Sequence, residues 1–233
     1  MILLRRRGAL RRKNLKAARG SLMTIENKNK QGLEQFRSLR SNIYFSSIDK
    51  ELRTIAVSSP SSGDGKTMTA SNLAVVISQE GKKVLLVDAD LRKPSVHHVF
   101  WLENRYGLSN YLIGQKTLHT IIHSAYPNLD IITSGIVPPN PSELLGSIQM
   151  SEFIQAVKEK YDIVIFDTPP VLIVTDPTLV ASKCDGLLLV VRAKKNDMKE
   201  VKRVQEQLTF AGANIIGAVL NGKKQPKGSY YYQ

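Results

Sequence analysis

Residues 58–74 read SSPSSGDGKTMTASNLA, and this stretch decides the fold that the sequence predicts. Residues 53–58 (RTIAVS) predict a short strand before it, and residues 67–80 after it carry apolar side chains at helical spacing. A glycine-rich turn that joins a strand to a helix and ends in Gly-Lys-Thr is typical of a phosphate-binding P-loop. The alternative, a glycine-serine loop that only caps a helix, does not account for the Gly-Lys-Thr ending.

The loop supplies the donors that a nucleoside triphosphate needs. Backbone N–H groups can surround a phosphate at the positive end of the helix dipole. Lys66 adds a point charge, and the Thr67 hydroxyl is an oxygen ligand suited to Mg²⁺. Pro60 departs from the usual pattern, which has a small residue there, so Gly63 takes over part of the turn. The predicted ATP-binding residues of the loop are Ser62, Gly63, Asp64, Gly65, Lys66, Thr67 and Met68.

Strands and helices continue to alternate along the rest of the chain. Strands are predicted at 83–90, 128–135, 161–167, 185–192 and 214–222, and helices at 33–47, 142–160, 176–183 and 196–212. The strands are apolar on both faces, which is typical of a buried parallel sheet. The predicted fold class is therefore α/β, a doubly wound, mostly parallel sheet with helices on both faces, of the P-loop NTPase type. Ligands of such sheets bind at the carboxyl ends of the strands.

Acidic residues stand at two of those strand ends. Asp88 and Asp90 end the run VLLVDAD, and Asp167 ends the run IVIFD. Carboxylates at strand ends beside a P-loop are typical positions for contacts to Mg²⁺ and its water. The predicted metal ligands are Thr67, Asp88 and Asp167, and the alternative is that the carboxylates are helix caps or turn formers. The four histidines show no spacing typical of a metal site.

The net charge of +13 lies mainly in the ends of the chain. Residues 1–20 carry eight basic residues and no acid, and residues 222–233 carry three lysines and no acid. We predict a flexible basic arm (1–30), a P-loop domain (31–222) and a flexible tail (223–233). A basic arm beside a nearly neutral body suits an anionic membrane surface, at about 1 kcal/mol per Lys or Arg, although a plain solvated tail is the alternative. No specific nucleic-acid partner is expected.

The sequence predicts a cytoplasmic protein. It has no apolar run of about 18 residues that could span a membrane, and its first apolar stretch is too short for a secretory signal. The single cysteine, Cys184, agrees with a reducing compartment and is interpreted as a small core side chain.

Several motifs together resemble one protein family. The P-loop, the run VDADLRKP (87–94), the run FDTPP (166–170) and a tyrosine-rich terminus are similar to the bacterial tyrosine kinases of capsule and exopolysaccharide synthesis, over roughly residues 30–233. The wider class of chromosome-partition and septum-site ATPases has a signature lysine five residues before the P-loop lysine. Ser61 stands there in this chain, which favours the kinases.

The resemblance implies how the subunits and the acceptor are arranged. Glu34, Arg37 and Arg40 form E-x-x-R-x-x-R on the first predicted helix, a motif that assembles subunits into a ring-like homo-oligomer in the family, although an ordinary solvated helix face is the alternative. The tail GSYYYQ corresponds to the autophosphorylation cluster, here Tyr230, Tyr231 and Tyr232. Asn221 is similar to the asparagine that contacts the nucleotide base in related ATPases, although a turn residue at the end of a strand is the alternative. The expected partner is a membrane-spanning activator, a polysaccharide co-polymerase, that recruits the kinase to the inner face of the membrane.

The expected activity is transfer of the ATP γ-phosphoryl group, with Mg²⁺, to tyrosines of proteins and of the chain itself. The candidate catalytic residues are Lys66, Asp88 and Asp90, with Asp88 accepting the phenol proton late in a loose transition state. One alternative is a partition-type P-loop ATPase that acts as a nucleotide-dependent dimerisation switch. Another is a non-catalytic scaffold that binds nucleotide within a polysaccharide export complex.

Overall fold

The computed structural model describes residues 22, 30–46 and 51–223. The helices in this part of the chain are α1 (Lys30–Phe45), α2 (Lys66–Ser78), α3 (Val96–Phe100), α4 (Leu108–Leu112), α5 (Leu118–Ile121), α6 (Pro141–Gly146), α7 (Ile148–Lys158), α8 (Asp176–Ala181) and α9 (Met198–Phe210). The strands are β1 (Thr54–Ser58), β2 (Val84–Asp88), β3 (Ile122–Tyr126), β4 (Leu129–Ile132), β5 (Ile163–Asp167), β6 (Gly186–Arg192) and β7 (Ile215–Asn221).

The strands form one seven-stranded sheet in the order β3-β4-β2-β5-β1-β6-β7. Every neighbouring pair is parallel except β3 and β4. Strand β1 lies between β5 and β6, and β5 in turn pairs with β2. The carboxyl ends of β1, β2 and β5 therefore meet at one edge, which confirms the predicted fold class and places the P-loop beside both acidic strand ends.

The core explains why these segments are so apolar. Strands β1, β2 and β5 are buried along their whole length, as is most of α2. Helix α2 is apolar on several faces because it lies against α1, α3 and the sheet at once. Each fully buried aliphatic side chain, such as Leu73 or Ile77, stabilises the fold by about 1.5–3 kcal/mol.

The predictions differ from the structure in several elements, among them the short helices α3, α4 and α5, which were not predicted. The helix expected over 142–160 is two helices, because Ser147 is extended and its hydroxyl caps α7 by accepting from the Met150 N–H. Strand β3 was not predicted, since it is a half-buried antiparallel edge strand without an apolar run. Strand β7 is only half-buried, although its sequence predicted a buried strand, because it lies at the other edge of the sheet.

The two predicted tails fall mostly outside the described residues. Within the arm, Leu22 is buried and belongs to the same core cluster as Ile43 and Leu52. The tail tyrosines 230–232 lie outside the described part. No helix in the part of the chain that the structure describes is long and apolar enough to span a membrane.

Candidate nucleotide and phosphoryl-transfer site

The P-loop lies between β1 and α2 and depends on two glycines. Gly63 and Gly65 adopt left-handed backbone conformations, with φ of 79° and 101°. A Cβ atom on Gly65 would lie 2.0 Å from the Asn221 amide nitrogen, so a larger residue there would displace the Asn221 side chain and strain the left-handed backbone. The loop opens onto a cavity of about 340 Å³. The other side of this cavity is lined by Asp90, Arg92, Lys93, Ser95, Pro170 and Ile173.

Lys66 stands at the centre of the predicted site. Its Nζ lies 3.1 Å from Asp90 Oδ2 and 3.6 Å from Asp167 Oδ1. Burial lowers the pKa of Lys66, but the charges of Asp167, Asp90 and Asp88 outweigh burial and hold it above its ordinary value. The lysine is therefore protonated, and its ammonium group pairs with the carboxylates of Asp90 and Asp167.

Asp167 and Thr67 are in direct contact. The Thr67 hydroxyl donates to Asp167 Oδ2 at 2.6 Å and also lies 3.0 Å from the Ser95 hydroxyl. The other oxygen of Asp167, Oδ1, is buried and has no hydrogen-bond partner among the described residues. Burial raises the pKa of Asp167, although Lys66 and Thr67 oppose this shift. A buried, under-satisfied carboxylate beside a P-loop threonine fits a Mg²⁺ that takes few protein ligands and keeps its water.

Asp88 is held differently from the other two carboxylates. Its Oδ2 accepts the N–H groups of Ser95 and Val96 at 2.9 and 3.0 Å, and its Oδ1 accepts that of Asp90 at 3.2 Å. Burial and the charge of Asp167 raise the pKa of Asp88 to about 7. Asp88 does not line the cavity, whereas Asp90 does. Asp88 thus has a raised pKa but does not reach the cavity, whereas Asp90 reaches it. No group of three His, Cys, Asp or Glu side chains forms a preformed metal cage in the described ranges.

Asp176 and Ser142, which the sequence did not single out, form a hydrogen-bonded group with Arg92 in the loop after β2. Arg92 donates two hydrogen bonds to the wholly buried Asp176 at the start of α8, at 2.8 and 3.0 Å. The Ser142 hydroxyl donates to the same carboxylate at 2.8 Å. Arg92 was visible in the run VDADLRKP, but its partner lies 84 residues away and no local pattern reveals it.

Two predicted ATP-binding residues face partly away from the cavity. The Asp64 carboxylate is buried and pairs with Lys195 at 2.6 Å, so only its backbone N–H remains for a phosphate. The Asn221 amide donates to the Asp64 carbonyl at 2.8 Å. Arg192, which ends β6 and donates to the Gly63 carbonyl, was also missed, as was Lys195 in the turn that follows, because no recognisable motif marks either residue.

The three residues of the predicted assembly motif on α1 have different surroundings. Glu34 and Arg37 are exposed and form an ion pair of 2.5 Å with each other. Arg40 instead contacts its own fold, at 2.7 Å from Glu80 and 3.2 Å from the Val76 carbonyl of α2. Its guanidinium therefore helps to fix α1 on the domain.

Comparisons with known proteins agree on one family. The model of the family described as AAA domain matches residues 52–211. The tyrosine-protein kinase YwqD of Bacillus subtilis is 43% identical over 199 residues, which is 85% of this chain and 84% of that protein. The putative tyrosine-protein kinase CapB of Staphylococcus aureus is 40% identical over 200 residues, with 85% and 88% covered.

A solved structure shows the same likeness in three dimensions. The kinase domain of the Escherichia coli tyrosine kinase ETK superposes with a TM-score of 0.85 at 38% identity, covering 91% of this chain and 84% of that one. These matches confirm the family and the enzyme class that the motifs predicted. The chain belongs to the bacterial tyrosine-protein kinases, a family built on the P-loop ATPase fold.

Proposed function

We propose that this protein transfers the γ-phosphoryl group of ATP to tyrosine hydroxyls, among them its own tail tyrosines in a neighbouring copy, and thereby regulates capsular or exopolysaccharide synthesis and export. The observation that carries the proposal is the cluster of Lys66, Thr67, Asp90 and Asp167 at the mouth of the P-loop. It combines a phosphate-binding cation with oxygen ligands for a divalent ion, as phosphoryl transfer requires.

The donor half of the reaction follows from the loop. Backbone N–H groups of residues 63–68 bind the phosphates, and Lys66 leaves Asp90 to contact the β- and γ-phosphate oxygens. Thr67 and Asp167 would hold Mg²⁺, which would supply positive charge to offset that of the phosphates. Since the transition state is loose, these residues act by positioning and by stabilising charge.

The reaction also requires a group that accepts the proton of the tyrosine hydroxyl. A tyrosine hydroxyl has a pKa near 10, and an ordinary aspartate, at about 3.9, is some six units too weak to take its proton fully. Burial beside Asp167 raises the pKa of Asp88 to about 7, which halves that gap. Asp88 does not line the cavity, however, so we assign acceptance of the phenol proton to Asp90, which lines the cavity and holds Lys66 before ATP binds, and to Asp88 a supporting role through the hydrogen bond that it accepts from the Asp90 N–H.

The acceptor side of the cavity has an apolar wall suited to an aromatic ring. Ile173 is 61% exposed there, and Pro170 lies beside it. The turn that carries them is fixed, because the Val171 N–H donates to the Ser59 carbonyl at 2.9 Å. A tyrosine from another subunit can pack its ring on this wall with its hydroxyl towards the phosphates.

Assembly would bring that tyrosine within reach. Glu34 and Arg37 remain exposed for contact with a neighbouring subunit, and Arg40 fixes the helix that presents them. We propose a ring-like homo-oligomer of this cytoplasmic enzyme, recruited to the inner face of the membrane by a membrane-spanning activator.

The test is mass spectrometry of phosphosites after incubation with Mg-ATP and the activator's cytoplasmic segment. The intact chain is compared with a chain that lacks residues 230–232. We expect phosphotyrosine within 230–232 of the intact chain, and its loss on truncation while phosphorylation of an added tyrosine substrate persists. An intact chain phosphorylated only elsewhere would contradict the assignment of the tail.

A further inference from the structure

Three side chains at the ends of β6 and β7 and in the turn after β6 hold the carbonyl side of the P-loop. Three consecutive carbonyls of the loop each accept a hydrogen bond. Ser62 O accepts from Lys195 Nζ at 2.5 Å, Gly63 O from Arg192 Nη1 at 2.7 Å, and Asp64 O from Asn221 Nδ2 at 2.8 Å. We call Arg192, Lys195 and Asn221 the clamp.

The clamp decides which way the loop's donors point. In a trans peptide the C=O and the following N–H point in opposite directions. Fixing the carbonyls of residues 62–64 therefore turns the N–H groups of Gly63, Asp64 and Gly65 away from the clamp. Within the described ranges, none of these three N–H groups donates to a protein acceptor. Gly63 and Gly65 line the cavity, so these free donors belong to the surface that meets the phosphates.

Lys195 of the clamp also neutralises a buried negative charge inside the loop. The Asp64 carboxylate is fully buried, and it closes the loop by accepting the Ser61 N–H at 2.8 Å. A buried anion in a phosphate-binding loop repels the ligand unless a cation offsets it. Lys195 supplies that cation at 2.6 Å from the other carboxylate oxygen.

The clamp is itself rigid. The Arg192 N–H donates to the Asn196 side chain at 2.7 Å, and the Lys195 N–H donates to the Arg192 carbonyl at 3.2 Å. The Ala193 N–H donates to the Asn221 carbonyl at 2.8 Å, which joins the two strand ends. A rigid support orders the loop before nucleotide arrives and lowers the entropic cost of binding.

We propose that Arg192, Lys195 and Asn221 are positioning residues that orient the P-loop donors, and that Lys195 neutralises Asp64 so that the loop can accept phosphate. This inference rests on the nucleotide-binding part of the proposed function. It gives Asn221 a role at the phosphate loop, in addition to the base contact that the sequence suggested.

The experiment measures binding of Mg-ATP and Mg-ADP to the full chain by titration calorimetry. Lys195→Met keeps the side-chain length but removes the charge, and we expect it to weaken both nucleotides by a similar factor of about tenfold. The double variant Asp64→Asn with Lys195→Met also removes the negative charge of Asp64. Its affinity for both nucleotides should lie within about threefold of that of the wild type. The adjacent exposed lysine gives the matched control, Lys194→Met, which should bind as the wild type does.

Melting temperatures of the nucleotide-free variants separate positioning from folding. The clamp predicts that Lys195→Met loses affinity with a melting temperature close to that of Lys194→Met. Unchanged affinity in Lys195→Met, or equal losses in Lys195→Met and the double variant, would overturn the proposal. Because Mg-ADP has no γ-phosphoryl group to transfer, its binding is measured independently of the kinase reaction, and a wild type that binds both nucleotides but forms no phosphotyrosine would contradict the kinase proposal alone. A wild type that binds no nucleotide would contradict both.

Discussion

Two carboxylate clusters, one partly buried and one fully buried, lie at opposite edges of the same sheet, and they differ in how many of their oxygens are hydrogen-bonded. At the amino-terminal edge, Asp185 Oδ2 accepts the N–H groups of Arg53 and Thr54 and the Thr54 hydroxyl, at 2.8–3.0 Å. Its Oδ1 pairs with Lys158 at 2.9 Å. Partial burial raises the pKa of Asp185, but these donors outweigh it and leave the pKa below its ordinary value.

The cluster at the carboxyl-terminal edge shows the reverse. Burial raises the pKa values of both Asp88 and Asp167, and Asp167 Oδ1 has no hydrogen-bond partner among the described residues. Asp185 thus stabilises the fold without any ligand, whereas one oxygen of Asp167 lacks a hydrogen-bond partner that, in the proposed function, a bound cation would supply. A buried carboxylate with a raised pKa and a missing hydrogen-bond partner therefore marks the proposed functional edge of this sheet.

The largest expected effect comes from removing the central cation. Lys66→Met should lower phosphotyrosine formation by at least about a hundredfold, because the transferring group loses its charge stabilisation. Lys158→Met is the matched control at the structural cluster, and it should keep the activity while lowering the melting temperature. Retained phosphotyrosine in purified Lys66→Met would contradict the site assignment.

The second prediction concerns stability and has opposite signs at the two edges. Asp185→Asn should lower the free energy of unfolding by about 2–3 kcal/mol, since it weakens charge-assisted hydrogen bonds. Asp167→Asn should leave the nucleotide-free protein as stable or more stable, since it removes a charge that burial disfavours, while activity falls. Chemical denaturation without Mg²⁺ measures both, and a loss of stability in Asp167→Asn equal to that in Asp185→Asn would remove the contrast.

The third prediction is a pH dependence at Asp88. Its folded-state pKa lies above its unfolded value, so the stability it contributes is present below about pH 4 and is lost as the pH rises through about 7. Relative to Asp88→Asn, the nucleotide-free wild type should therefore melt lower at about pH 8 than at about pH 5. Melting curves recorded with a chelator give this difference, and a constant offset between the two proteins at all pH values would speak against a raised pKa.

The smallest effect is expected on α1. Arg40→Ala should cost about 1–2 kcal/mol, because the arginine bonds to Glu80 and to the α2 backbone. Arg37→Ala should change the free energy of unfolding by less than about 0.5 kcal/mol, since its ion pair is exposed. Urea unfolding of the two variants compares them, and equal costs would show that Arg40 does not fix the helix.

The sequence predicted the elements whose pattern is local. The P-loop, the apolar strands and the carboxylates at their ends all carry such patterns, and the parallel sheet brings Lys66, Thr67, Asp90 and Asp167 together as expected. Strand β3 escaped prediction because an edge strand needs no apolar run, and the break at Ser147 depends on one cap within an otherwise helical stretch.

Partners distant in the chain could not be predicted. Asp64 and Lys195 are 131 residues apart, and nothing in either segment indicates that they meet. The division between satisfied and under-satisfied carboxylates was equally hidden, since Asp167 and Asp185 look alike as acids beside apolar strands. Burial and the number of donors, which are properties of the fold, separate them.

The most direct test of the central claim counts the products of one reaction. The intact chain is incubated with Mg-ATP, and ADP, inorganic phosphate and phosphotyrosine are quantified in the same sample, with Lys66→Met alongside. We expect phosphotyrosine to rise with ADP while little free phosphate appears, and we expect Lys66→Met to form neither ADP nor phosphotyrosine. ADP matched by free phosphate without phosphotyrosine would contradict the central claim and would indicate an ATPase that acts as a nucleotide-dependent switch.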